Sequence, residues 1–358
     1  MRIGFFWLLT CFVSFFVMSS VLAAHVKEGV DVYQKVPPPL PVVRVAFVGN
    51  SYTYFNDLPS MLSSMCTSAG VRLETEQLTV GGQTLKGHSS DSRLLSLLSP
   101  DKHWDYVVLQ DNSSVPGRAR EDAFEASLSS LRDVFVPAVA RLAEKNPRIK
   151  VLLYESWGHH SGSVYKDLLP FYPDFPTMTL KTSSGYAYYQ SFLLGLLPST
   201  VSVHVVPVGS AFFSVHEECS RELFDSLYVD DLFHPSRFGT YLSACVFFRA
   251  VVLGGRGGER NGDGATDSSR CEGVASMPDE LRSDEPTPFE TDRMKKEAAS
   301  EKGSNKGGKW TGRGITSEEM RSLQRAADKA SDVEEERQRT LLLLGAPTVV
   351  RADGGGDL

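Results

Sequence analysis

Cysteine is scarce in this 358-residue chain, at five residues, and no two of them form a C-x-x-C pair. That spacing argues against zinc-ribbon and thioredoxin-type chemistry, which need closely placed thiols. Cationic excess is missing too. With 37 Lys and Arg against 44 Asp and Glu the formal net charge is −7, so there is no electrostatic case for nucleic-acid binding. A phosphate-binding loop is also lacking. Residues 303–309 come close to one, but Trp310 stands where Ser or Thr is required, and no strand precedes them. What remains is an ordinary globular composition, 41% hydrophobic, in a chain long enough for one sizeable α/β domain with appendages.

The first 24 residues read as a targeting segment. Arg2 is their only charge, and the uncharged run of residues 3–24 is rich in Phe, Leu and Val. It ends in the small residues Val21, Ala23 and Ala24, where a signal peptidase needs them. The expectation is a cleaved signal peptide. The run is also long enough to act as a signal anchor, the one circumstance in which a membrane would be a partner. Either way the remainder is delivered to a secreted or lumenal location. Cys11 would leave with a cleaved signal. Cys66, Cys219, Cys245 and Cys271 would remain, open to one or two disulfides or to buried free thiols.

Residues 25–41 read as a linker ending in Pro37, Pro38 and Pro39, an extended backbone without internal hydrogen bonds. A strand-then-helix rhythm follows. Strands are expected at 42–48, 71–80, 106–109, 151–154 and 201–206, and helices at 58–69, 122–144, 185–197 and 236–253. Residues 106–109 are nearly all apolar and should be buried on both faces, whereas 71–80 alternate as an edge strand does. This alternation predicts a parallel sheet with helices on both faces, binding its ligand at the carboxyl ends of the strands. From residue 255 to 358 Gly, Ser and charged residues dominate. The expectation is a mostly disordered tail with one solvated helix at 316–344, started by a Thr316-x-x-Glu319 capping box.

The candidates for chemistry cluster at the ends of the strands. Gly49-Asn50-Ser51 is a tight turn after the first strand that would lift the Ser51 hydroxyl above the sheet. A serine needs a base, and the base an orienting acid. Asp231-Leu232-Phe233-His234 supplies both, since a spacing of three lets Asp231 accept from Nδ1 and leaves Nε2 for Ser51. Gly81-Gly82 follows the second strand and Gln110-Asp111-Asn112-Ser113 the third. With the Ser51 N–H, Gly82 N–H and the Asn112 amide would form a three-donor oxyanion hole.

These blocks resemble the SGNH, or GDSL-like, serine hydrolases. Val48-Gly49-Asn50-Ser51-Tyr52-Thr53 is similar to the first block of the branch reading G-N-S in place of G-D-S. Gly81-Gly82-Gln83-Thr84-Leu85 is similar to the second, and Asp231 to Gly239 to the last. The resemblance spans about residues 43–253. It implies a flavodoxin-like three-layer α/β/α sandwich with a five-stranded parallel sheet over residues 42–254, and ester hydrolysis without a cofactor or metal. The roles it implies are Ser51 as nucleophile, His234 as base, Asp231 as its orienter, and Ser51, Gly82 and Asn112 as oxyanion donors. The third block departs from the family's G-x-N-D, so Gln110 stands as a fallback donor, and Asp230 competes with Asp231. Asn112-Ser113-Ser114 is also the chain's only N-glycosylation sequon, and a glycosylated Asn112 could not line an oxyanion hole.

Trp157 is expected as a wall of the substrate pocket or as core. His159 and His160 are expected near the rim, with metal ligation a minor alternative. The segment 165–182, with Phe171, Tyr172 and Phe175, is expected to form a lid or a packed surface loop. The expected partner is a small-molecule or glycan ester carrying a short acyl group such as acetate. Lipid-acyl hydrolysis, acyl transfer to a sugar, and a non-catalytic binding protein on the same fold are the alternatives. If the hydrolase reading holds, deleting 254–358 should leave turnover largely intact.

Overall fold

The computed structural model describes residues 40–253 and 316–344, and all that follows concerns them. The candidate leader and most of the proline linker lie outside these residues, as does Cys271. In chain order the elements are β1 (Val42–Gly49), α1 (Ser51–Tyr54), α2 (Leu58–Ser68), β2 (Arg72–Thr79), α3 (Leu85–Ser89), α4 (Ser92–Leu97), β3 (Tyr106–Leu109), α5 (Asp122–Ser130), α6 (Val136–Lys145), β4 (Lys150–Tyr154), α7 (Phe175–Leu194), β5 (Ser202–Val206), α8 (Val208–Glu218), α9 (Arg221–Ser226), α10 (Arg237–Phe248) and α11 (Ser317–Leu344). The five strands pair in the order β2-β1-β3-β4-β5, all parallel. The order reverses between β1 and β3, which opens a crevice at their carboxyl ends.

Side chains alternate across each strand, and the two apolar cores follow that alternation. Val45 and Phe47 of β1 face one core with α2, α8, α9, α10 and α11, whereas Ala46 and Val48 face the other with α4, α5, α6 and α7. The fold is therefore a three-layer α/β/α sandwich of flavodoxin-like strand order. All four residues of β3 are buried, as a central strand covered on both faces must be. β2 lies at an edge.

Three differences from the sequence reading have local causes. First, α7 begins at Phe175 rather than near 185, so half of the expected lid is helix. Asp174 caps it, accepting from Thr177 N at 2.7 Å, and Pro176 sits in the first turn, where its missing N–H costs nothing. Second, the helix expected at 122–144 is interrupted by a π-type turn at Leu131–Phe135. Pro137, which has no N–H to return to the preceding turn, lies two residues past its end. Third, α8 and α9 fill the interval between β5 and the Asp231–His234 loop, where no helix was expected.

The largest correction concerns α11. It begins with the expected capping box, Thr316 N donating to Glu319 Oε2 at 2.9 Å and Glu319 N to Thr316 Oγ1 at 3.2 Å, but one face of it is buried rather than solvated. It packs against α8 and α10, burying Leu323, Ala326, Ala327 and Ala330 in the domain's own core. Arg249, just past α10, reaches Asp328 at 3.0 Å and Asp332 at 2.6 Å, and Gln324 donates to the Tyr241 hydroxyl at 2.9 Å. Burying Leu323 alone contributes about 2 kcal/mol, more than an exposed ion pair supplies. The domain therefore does not end at 254. Cutting the chain there would uncover this apolar seam, which argues against a dispensable tail. Cys66, Cys219 and Cys245 are free thiols, the first and last fully buried.

Candidate functional site

The turn after β1 is built around Asn50. Its side chain caps α1 by accepting from Tyr52 N at 3.1 Å, and its backbone N–H donates to Gln110 Oε1 at 2.9 Å. Gln110 returns a bond from Nε2 to Asn50 Oδ1 at 2.7 Å, and Asn50 Nδ2 reaches Gln83 O at 3.1 Å. One buried amide pair thus ties together the ends of β1, β2 and β3. Gly49 has to be glycine here, because a Cβ would lie 2.4 Å from Thr53 Oγ1 and 2.6 Å from Gln110 Oε1.

Ser51 follows at the first position of α1. Its Oγ lies 2.8 Å from His234 Nε2, although 183 residues separate the two in sequence. His234 Nδ1 lies 2.7 Å from Asp231 Oδ2. A carboxylate only accepts, so Nδ1 carries the proton and Nε2 is left to accept from the serine hydroxyl. Asp231 also holds its own loop, Oδ1 accepting from Phe233 N at 3.1 Å and His234 N at 2.9 Å. Burial favours its neutral acid, but the bond from the His234 ring and the two backbone N–H groups outweigh that and keep the carboxyl below the usual range. The ring pairs with Asp231, not Asp230. Leu232 turns the loop at φ 65°, a left-handed conformation costly for a branched side chain. The neighbouring segment supports it: His160 N donates to Leu232 O at 2.9 Å and Trp157 Nε1 to Phe233 O at 3.1 Å. The His234 ring is stacked on Phe55 at 4.2 Å and touches Phe233 at 4.0 Å.

The proposed oxyanion donors converge from the other strand ends. Gly82 has φ 69°, which its lack of a Cβ allows, and its carbonyl accepts from Asn112 Nδ2 at 2.9 Å. Asn112 Oδ1 accepts from Ser114 N at 3.0 Å and Ser114 Oγ at 2.8 Å. These bonds fix the amide's orientation and leave the second Nδ2 hydrogen for a ligand. Among the described residues the Ser51 and Gly82 N–H groups donate to no other group. Beneath them Asp111 is fully buried and accepts from Leu85 N, Asn112 N, Ser127 Oγ and Tyr189 OH at 2.7–3.0 Å.

Two expected substrate contacts are displaced from that role. Gln110 is 0% exposed, and both its amide hydrogens are used, on Asn50 Oδ1 and Asp111 O, so it is scaffold rather than a fallback donor. Trp157 is also 0% exposed, stacked between Tyr52 and Phe212 at 4.3 Å on each side. It is a floor under the Asp231–His234 loop, not a pocket wall. Metal ligation by the adjacent histidines has no geometric support. His159 Nδ1 accepts from Val164 N and its Nε2 faces Ser113 Oγ, while His160 Nε2 faces Asp225 at 2.7 Å. Among the described residues no cluster of three His, Cys, Asp or Glu side chains is arranged to hold a metal. Sequence reasoning missed Phe55, Asp111 and Phe233 as members of the site and read Asn50 only as part of the turn. Only Asp111, a carboxylate inside an otherwise neutral strand-end motif, carried a readable signal.

No family model matches the chain, and no curated protein does. Among solved structures it is similar to a DUF4886 family protein from Bacteroides uniformis, at 15% identity and a TM-score of 0.56, over 81% of this chain and 95% of that one. It also aligns with a carbohydrate esterase family 3 protein from Talaromyces cellulolyticus, at 14% identity and a TM-score of 0.39, over 59% of this chain and 97% of the other. An acetylxylan esterase from Geobacillus stearothermophilus aligns at 14% identity and 0.38, over 60% and 96%. The first likeness is one of fold alone. The other two decide nothing about this chain.

Proposed function

We propose that the protein is an SGNH-type serine ester hydrolase acting in a secreted or lumenal space. The observation that carries the reading is the unbroken relay Ser51 Oγ to His234 Nε2 to Asp231, at 2.8 and 2.7 Å, closed between two distant parts of the chain. In the reaction Ser51 Oγ bonds to the ester carbonyl carbon while its proton passes to Nε2. The oxyanion accepts from the Ser51 and Gly82 N–H groups and from Asn112 Nδ2. His234 then gives its proton to the leaving alkoxide as the acyl–oxygen bond breaks. Water repeats the sequence on the acyl-enzyme and restores Ser51. Asp231 stays ionised and stabilises the imidazolium. We favour a short acyl group on a carbohydrate or small alcohol. The apolar space under the nucleophile turn is filled by the Tyr52–Trp157–Phe212 stack, which leaves no room there for a long chain.

The test is turnover of p-nitrophenyl acetate, with fluorophosphonate labelling, in wild type and Ser51→Ala. The expected result is a loss of at least about a thousandfold in kcat and of all labelling at unchanged fold. A folded wild-type protein that neither labels nor turns over any of a panel of acetylated sugars and short esters would point to a binding protein instead.

A further inference from the structure

One buried imidazole beside the triad has no part in the relay. His159 is 0% exposed and lies in the segment after β4 that supports the catalytic loop, its ring 5.4 Å from that of Phe233. Val164 N donates to its Nδ1 at 3.1 Å. A nitrogen accepting from an N–H cannot itself carry a proton, so the proton of the neutral ring sits on Nε2, which then donates to Ser113 Oγ at 3.2 Å. Burial pushes His159 down to about 4, the nearby His234 adding to the effect and Asp231 opposing it, so the ring stays neutral while the relay works.

Both partners matter by position. Ser113 adjoins Asn112, whose amide is the side-chain donor of the oxyanion site, and the buried Tyr52 hydroxyl lies beside Ser113. Val164 opens the rim segment. Val164 and Tyr165 are exposed large apolar side chains, and the Tyr165 ring stands edge-on to His159 at 5.9 Å. Tyr165 N in turn donates to Ser163 Oγ at 3.1 Å. One imidazole therefore joins the loop that carries the oxyanion donor to the loop that presents an aromatic surface beside it.

We propose that His159 is a positioning residue with two separable duties: through Nε2 and Ser113 it holds in place the segment that carries the Asn112 donor, and through Nδ1 and Val164 it fixes Tyr165 as a platform for the alcohol portion of the substrate. This rests on the hydrolase reading. The duties predict different kinetic losses, because the oxyanion donor acts in the transition state and the platform binds substrate throughout.

The experiment is steady-state kinetics of the full chain on p-nitrophenyl acetate and an acetylated sugar, with fluorophosphonate labelling rates and thermal midpoints. His159→Asn keeps an acceptor near the Nδ1 position and removes the donor to Ser113. It should lower kcat about tenfold at nearly unchanged KM, less than the hundredfold or more lost with an oxyanion donor itself. Ser113→Ala, a minimal change that keeps the ring, should do the same, and the double variant should be no worse than either single one. His159→Gln restores a donor near Nε2 and removes the acceptor, so it should recover most of kcat while raising KM for the acetylated sugar severalfold, as Tyr165→Ala should. Wild-type kcat in folded His159→Asn and Ser113→Ala would overturn the proposal, as would losses that simply multiply in the double variant. Turnover surviving Ser51→Ala would instead overturn the hydrolase reading beneath it.

Discussion

The strand-end network has two levels that differ in what their hydrogen bonds leave over. At the upper level the Ser51 and Gly82 N–H groups donate to nothing else among the described residues, and Asn112 retains a second amide hydrogen. One layer down, Gln110 uses both amide hydrogens and its carbonyl oxygen on other parts of the protein. Asp111 accepts from four donors. Unfilled donor capacity is what a developing negative charge needs, and full satisfaction below is what keeps those donors from relaxing toward one another. The same polar residue types are therefore left with open donors above and fully bonded below.

Two substitutions sharpen the contrast. Asp231→Asn at the upper level should lower kcat by about ten-thousandfold with little change in stability. The amide can still accept from the loop N–H groups, but it favours the wrong tautomer of His234; a thermal midpoint beside kcat on p-nitrophenyl acetate separates the two effects. Gln110→Ala at the lower level should act in the opposite sense. It strands Asn50 N, Thr53 Oγ1 and Asp111 O, leaves Asn50 Oδ1 with Tyr52 N alone, and should cost about 4 kcal/mol in urea unfolding. Equal effects of both changes on stability would erase the distinction.

The smallest effect concerns a buried group away from the relay. Glu155, at the end of β4, is 2% exposed. Burial raises it to about 7, against hydrogen bonds from Ser210 and Ser183 and with the nearby Glu334 of α11 adding to the rise. Its folded value lies above its unfolded one, so the native state holds the extra proton and stability should fall as pH rises from about 4.5 to about 7, levelling off above that. Glu155→Gln should remove this decline and stabilise the protein at pH 8 by on the order of 3 kcal/mol, with little difference at pH 4. A stability profile for Glu155→Gln that parallels wild type would show that the carboxyl is not protonated in the fold.

Much of this was legible in residue order. The apolar tetrapeptide of β3, the alternation of β2 and the Gly49-Asn50-Ser51 turn each carry their own local explanation, and the Asp231–His234 spacing predicted the observed ring-to-carboxylate bond. Trp157 and Gln110 were not legible, because a side chain at a strand end faces either the ligand or the interior, and only neighbours such as Phe212 and Asn50 decide which. The docking of α11 was missed for a related reason. Leu323, Ala326, Ala327 and Ala330 form a narrow stripe at spacings of three and four, and alanines weigh little in any apolar pattern although their small size permits close helix approach.

By itself the sequence determined the alternation of strands and helices, the Gly49-Asn50-Ser51 turn and the Asp231–His234 pair, because each depends on residues within one or two turns of chain. The tertiary structure decided the distance across the sheet edge that brings His234 to Ser51, which polar groups are left with open donors, and that a helix beyond residue 315 closes the core. Those depend on which segments far apart in sequence exclude water from one another, and no local pattern encodes that.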